Sequence, residues 1–125
     1  MILDYFEELE SVIAEFLPLI NSHSTSTKAY GKDKGFIRGE ITFVNGQQLS
    51  FAEVIDFEQT SKLKYRYHFM DENDALIFRY DNAAHFPELR SFPDHKHLPH
   101  DVVESEEPNL TDVLLEIYNL SFKNS

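Results

Sequence analysis

The stretch Gly35-Phe36-Ile37-Arg38-Gly39-Glu40-Ile41-Thr42-Phe43-Val44-Asn45-Gly46-Gln47-Gln48-Leu49-Ser50-Phe51-Ala52-Glu53-Val54-Ile55-Asp56-Phe57 reads with a period of two that breaks once, at Asn45-Gly46. Ile37, Gly39, Ile41 and Phe43 alternate with Phe36, Arg38, Glu40 and Thr42, as a strand with one face in a core requires. Asn-Gly suits a tight hairpin turn because its residues tolerate positive φ. The stretch is predicted to be a β-hairpin with strands at about 35–44 and 48–57.

Two more runs extend the hairpin, at about 63–70 and 75–81, separated by the polar loops Glu58 to Lys62 and Asp71 to Asp74. Four consecutive strands predict an antiparallel meander. Matching apolar faces supplies a register, since a slip of one residue would turn the hydrophobic set into water. It sets Phe43 opposite Leu49, Ile41 opposite Phe51, Gly39 opposite Glu53, Phe57 opposite Leu63, Ile55 opposite Tyr65, Phe69 opposite Leu76 and Tyr67 opposite Phe78.

Outside the meander the period changes. Phe6, Leu9, Val12, Ile13, Phe16 and Leu17 recur at three and four, which predicts an amphipathic helix over 4–17 with Asp4 and Glu7 as a capping box and Pro18 as its stop. Asn21 to Thr27 is a polar connector with room for a short edge strand. His85 to His100 holds Pro87, Pro93 and Pro99, which argues against a helix or a central strand and predicts a Pro/His-rich loop over 82–101, with Val102-Val103 as an added edge strand. Asn109 is the expected N-cap of a helix over 109–120, with Leu110, Val113, Leu114, Ile117 and Tyr118 on one face. The expected fold class is α+β: an antiparallel meander of at least four strands, a helix at each end, and a long loop before the last helix, in one domain over 1–125.

Composition narrows the function classes. At 125 residues one core is expected, burying roughly two-thirds of the unfolded surface. There is no cysteine, so neither a disulfide framework nor a thiolate zinc site holds the fold. The acidic start Met1 to Glu8 does not resemble a basic signal segment, and no apolar run nears the ~18 residues of a membrane span. A cytoplasmic protein without membrane contact is expected. The net charge of -11 opposes general affinity for nucleic acid, but it is uneven. Met1 to Thr27 and Asp101 to Glu116 contain acids and no Lys or Arg, whereas Lys28 to His100 is close to neutral and carries five of the six histidines.

On the expected register, Arg38, Val54, Arg66 and Arg79 share a row on the face opposite the apolar one, with Lys64 and His68 on either side of Arg66. Arg66 and Arg79 become direct neighbours at roughly 5 Å, which is unfavourable unless an anion lies between them. Internal carboxylates such as Glu40, Asp56 and Asp81 are one source of that anion. A phosphate or RNA backbone is the other, since guanidinium groups bind such oxygens bidentately. Glu53 is the one ionisable residue on the apolar face, where Tyr67 is placed to donate to it. Desolvation there would raise its pKa and suit acid–base work, against the commoner structural role of a buried carboxylate. His95 and His97, with His85, His100 and Asp101 near in sequence, offer imidazoles for proton transfer or zinc, although Lys96 between them opposes a cation.

Lys64-Tyr65-Arg66-Tyr67-His68-Phe69, Leu76-Ile77-Phe78-Arg79-Tyr80-Asp81-Asn82-Ala83-Ala84-His85, Pro87-Glu88-Leu89 and Phe92-Pro93-Asp94-His95-Lys96-His97 together resemble the TumE-type proteins. The resemblance runs from about Gly35 to Ile117, and Tyr65 to His97 is its specific part. It implies a toxin of a prokaryotic toxin–antitoxin pair, with a helix-turn-helix antitoxin as partner, and no mechanism. The chain departs from the expected pattern at Phe86, where a second histidine beside His85 is anticipated. The leading expectation is a toxin acting on RNA without a cofactor or metal, as a ribonuclease or as a binding inhibitor of translation. In it Arg38, Arg66, Arg79, Lys64 and Lys96 hold phosphate, and His68, His85, His95, His97 and Glu53 are the acid–base candidates. A non-catalytic adaptor that binds protein and a small metalloenzyme built on the histidine loop are the alternatives, and self-association is left open.

Overall fold

In the computed structural model, which describes residues 1–124, the first helix α1 spans Ile2–Glu15. A 3-10 turn at Leu17–Leu19 follows, and then strands β1 (Ile20–Ala29), β2 (Lys34–Phe43), β3 (Gln48–Asp56), β4 (Lys64–Met70), β5 (Leu76–Asp81), β6 (His95–Leu98) and β7 (Asp101–Glu104). Helix α2 spans Leu110–Ser121. All seven strands form one antiparallel sheet in sequence order. The expected α+β meander with terminal helices is therefore the observed fold, with strands added at both edges.

Both additions have a physical reason. The Ser/Thr-rich segment 20–29 has almost no apolar side chain to bury, yet it pairs along β2 through its backbone and stays exposed as an edge. The segment 82–101 is loop only as far as Asp94. Beyond Pro93 no further proline interrupts His95-Lys96-His97-Leu98, and these four residues pair with β5 and with β7. Helix α1 begins at Ile2, so Asp4 is not its cap. Met1 holds the N-cap position, its ammonium lies 3.2 Å from the Asp4 carboxylate, and Ile2 N donates to Lys32 O. At α2 the expected cap is present: the Asn109 side chain accepts from Asp112 N at 2.8 Å, and Asp112 returns a bond from Asn109 N at 3.1 Å.

The expected register is corrected by two residues in every hairpin, which keeps each side chain on its expected face. Ile41 pairs with Leu49, Gly39 with Phe51, Glu53 with Tyr65, Phe51 with Tyr67, Phe69 with Phe78 and Tyr67 with Tyr80. Turn chemistry causes the slips. Phe43 N donates to Gln47 O at 2.9 Å, closing a loop of three residues with Gly46 at φ +89, tighter than the apolar pattern alone implied. Before β5, Asp71 Oδ1 accepts from Asn73 N and Ala75 N, Asp74 takes φ +65, and the ladder bulges between Phe69 and Met70.

One sheet face and both helices make the core. Ile2, Phe6, Leu9 and Ile13 of α1 and Leu110, Val113, Leu114 and Ile117 of α2 are buried together with Ile37, Ile41, Phe43, Leu49, Phe51, Tyr65, Tyr67, Phe69 and Phe78. Each large apolar side chain so buried contributes about 1.5–3 kcal/mol. Gly35 lets α1 approach β2, because a Cβ there would lie 2.6 Å from Ile2 and 2.9 Å from the Phe6 ring. No helix of the described residues is long and apolar enough to cross a membrane. The alternate side chains of β2 to β6 project from the other sheet face, which carries no helix among the described residues.

Candidate functional site on the open sheet face

The corrected register rewrites the arginine row. Across the open face, Arg38, Ala52, Arg66, Asp81 and His95 lie in one row, and Glu40, Ser50, His68, Arg79 and His97 in the next. Arg66 thus faces Asp81, and Arg79 faces His68, so the expected direct contact of Arg66 with Arg79 is absent. The slip replaces a repulsive neighbour with a carboxylate, which the electrostatics favour.

Asp81 anchors the centre. Its Oδ2 accepts from Arg79 Nε at 3.0 Å, its Oδ1 accepts from Ala83 N at 3.0 Å, and His95 Nε2 lies 2.8 Å from Oδ1. His97 Nε2 is 3.0 Å from His95 Nε2, 3.1 Å from Arg79 Nη2 and 3.5 Å from Asp81 Oδ2. A guanidinium has only donors, so its contact with His97 Nε2 uses the ring's lone pair and leaves the proton on Nδ1. His95 is 1 % exposed and its Nδ1 donates to Pro93 O at 2.9 Å. Phe86 closes over the pair, its ring centroid 5.0 Å from His95 and 5.7 Å from His97. Burial lowers the His97 pKa below the usual imidazole value and the Arg79 charge adds to this, while Asp81 acts in opposition.

On the β4 side of Arg79, His68 is also held below the ordinary imidazole pKa, by burial first and then by Arg79 and Arg66. His68, Arg66 and Arg79 line a depression of about 300 Å³ with Glu40, Ser50 and Met70. Next to it, a groove of about 440 Å³ is lined by Lys64, Arg66, Arg79, Asp81, Asn82 and neighbouring residues of β2 to β4. Arg66 and Arg79 border both spaces. Among the described residues, Arg38, Lys64 and Arg66 have neither a hydrogen bond nor an ion pair from their side chains, whereas Arg79 is committed to Asp81. Internal neutralisation thus holds for one arginine of the three.

Two of the expected site residues lie on the covered face. Glu53, fully buried, accepts from Tyr5 and, at 2.5 Å, from Tyr67, the donor expected for it; the Lys62 ammonium is 4.0 Å away. Lys62 also donates to Tyr67 at 2.8 Å and to Pro108 O at 2.7 Å. This network ties α1, β3, β4 and the start of α2 together. Burial and Glu53 raise the Tyr5 and Tyr67 pKa values well above the ordinary phenol range, so both phenols stay donors. Lys96 follows the strand period to the helix side, where it pairs with Glu116 at 2.7 Å and lies over the Phe78 and Tyr80 rings. His85 is exposed beside Phe86, and His100 is exposed in the turn between β6 and β7.

Sequence reasoning placed Asp81 only as a neutralising carboxylate, although it is the hub of the cluster. Arg79 and Asp81 at i and i+2, with His95 and His97 at the same spacing, were the available signal: four polar side chains on one face of two strands. What the sequence did not show was that the histidine segment is itself a strand laid against β5.

A seven-stranded meander backed by two helices, with arginine, histidine and aspartate gathered on its bare face, defines a small α+β protein. The family described as Toxin TumE matches residues 9–121, and the chain belongs to that family of toxins. Neither the curated proteins nor the solved structures provide a match.

Proposed function

We propose that this protein is the toxin of a toxin–antitoxin pair and acts in the cytoplasm on RNA, through the open face of its sheet. The observation that carries the reading is Arg66: a guanidinium with no internal partner, in one depression with an imidazole held neutral, His68. Free guanidinium and ammonium groups at Arg38, Lys64 and Arg66 supply donors for a phosphate backbone. A neutral imidazole supplies a lone pair near neutral pH. In the reaction, His68 takes the proton of a ribose 2′-OH, the 2′ oxygen bonds to phosphorus, and the 5′ oxygen leaves with a proton from water in the open groove. Arg66 stabilises the charge that gathers on the phosphoryl oxygens.

The outer face of α1, where Glu7, Glu8, Glu10 and Glu15 are exposed, is directed away from this chemistry and suits a basic partner protein, the antitoxin that the family implies. Induced expression of the chain, alone and with its neighbouring reading frame, tests the reading when growth and bulk RNA integrity are scored. Arrest with RNA loss, relieved by the neighbour and by Arg66→Ala, is the expected result. Unimpaired growth with the lone chain rules out the toxin role; arrest with intact RNA rules out cleavage.

A further inference from the structure

The geometry points to a transition-metal site formed by Asp81, His95 and His97, one that takes a single ion of the Zn²⁺ class. One ligand atom from each of the three lies within 4.8 Å of the other two. His95 carries the argument. Its Nδ1 can only donate to the Pro93 carbonyl, because that oxygen has no proton to give. Nε2 is then aimed at Asp81 Oδ1, at 2.8 Å, and at His97 Nε2, at 3.0 Å. A proton on His95 Nε2 satisfies one of these contacts at a time, whereas a cation between the three atoms satisfies all of them. An Nδ1–H bond to a backbone carbonyl is also the outer contact that fixes a metal-binding imidazole with Nε2 forward.

The surroundings agree. Asp81 and His95 are paired across β5 and β6, so strand backbone rather than a loose loop sets their separation. The objection that Lys96 would repel a cation falls away, since the strand period sends its ammonium to Glu116 on the opposite face. Phe86 provides an apolar cover, and the His97 side chain, 18 % exposed, leaves a side open for a fourth ligand such as water. Two imidazole nitrogens and one carboxylate oxygen favour zinc-like ions over Mg²⁺, which prefers an all-oxygen shell. The cation now between Asp81 and His97 is the guanidinium of Arg79, on a side chain 35 % exposed. An incoming ion displaces it toward the groove. On the phosphate reading given above, that would add a second free arginine beside Arg66; the metal site itself does not depend on that reading.

Calorimetric titration of the chelator-treated full chain with zinc chloride, and in parallel with magnesium chloride, tests the site without any RNA. One zinc ion per chain is expected, with affinity at least about tenfold weaker in His97→Ala and in Asp81→Asn. His23→Ala, on the exposed β1, should match the parent. Cobalt(II) in place of zinc should give a visible absorption band that His97→Ala abolishes. His97 is partly exposed, so that variant is expected to keep its fold, verified by circular dichroism. No zinc uptake by the parent chain, equal uptake by His97→Ala and the parent, or equal affinity for magnesium would each overturn the proposal. None of these results bears on whether the lone chain degrades RNA.

Discussion

At the scale of single residues, the proposed RNA reaction assigns chemistry to His68 and binding to Arg66, and the two roles can be read separately. His68→Gln keeps a polar side chain but lacks the basic nitrogen, so RNA cleavage should fall by about 10²–10⁴-fold with binding little changed; single-turnover assays beside filter binding read the two separately. Because the His68 pKa lies below its unfolded value near 6.5, the base form persists into mildly acid solution. The acid limb of the pH–rate profile should therefore fall below 6.5, and His68→Gln should remove it. The same shift affects folding: the native state binds fewer protons than the unfolded chain, so its contribution to stability is present above about pH 6.5 and lost as pH falls through the folded value. Chemical denaturation at a series of pH values, with and without His68→Gln, checks the sign. Glu53 belongs to the other side of the sheet. Tyr67→Phe removes a donor from a fully buried carboxylate and an acceptor from Lys62, and should cost about 1–3 kcal/mol in urea unfolding. The period of two picked out Arg38, Lys64, Arg66 and His68 on one face, while His95 and His97 were legible only as imidazoles in a proline-rich loop. Neither signal revealed that Asp81 would claim Arg79, because that depends on a pairing shifted by two.

At the scale of elements, the strands and helices were legible because their periods are clean. Alternation in β2 and β3 and the three-four spacing in α1 and α2 are properties of local sequence, whereas register is decided by turns a few residues long. Val44-Asn45-Gly46 and the Asp71 turn set two of the pairings, and each moved them by a step that apolar patterning is unable to detect, since it preserves the face. The segments β1 and β6 were only partly legible for a different reason: neither buries an apolar alternation, and both are held through backbone pairing with a neighbour already in place. Two substitutions test how the helices are held. Asn109→Ala breaks the reciprocal cap of α2 and should cost about 1 kcal/mol. Gly35→Val pushes α1 off β2 and should destabilise by more than the cap variant, as denaturant midpoints would show.

At the scale of the whole molecule, charge and topology each have a measurable result. A chain of net charge -11 that binds RNA through Arg38, Lys64 and Arg66 should do so weakly and with shallow salt dependence. The expected slope of log affinity against log salt is about -2 for three single-strand phosphate contacts, falling by about 0.7 in Arg66→Ala. A slope near zero in the parent chain would place the binding energy elsewhere. The strand order β1 to β7 is also the order of the chain, so every strand touches only its predecessor and successor in sequence. Pulled from its two ends, such a sheet should peel like a strip of stamps, one strand at a time from each margin. Amide exchange should accordingly be slowest in β3 and β4 and accelerate outward. Arg66 and His68 sit on β4, in the last part of the sheet to open, while the histidine pair sits one strand from the margin. A load that strips β7 and β6 would thus take away His95 and His97 while Arg66 and His68 still held their places.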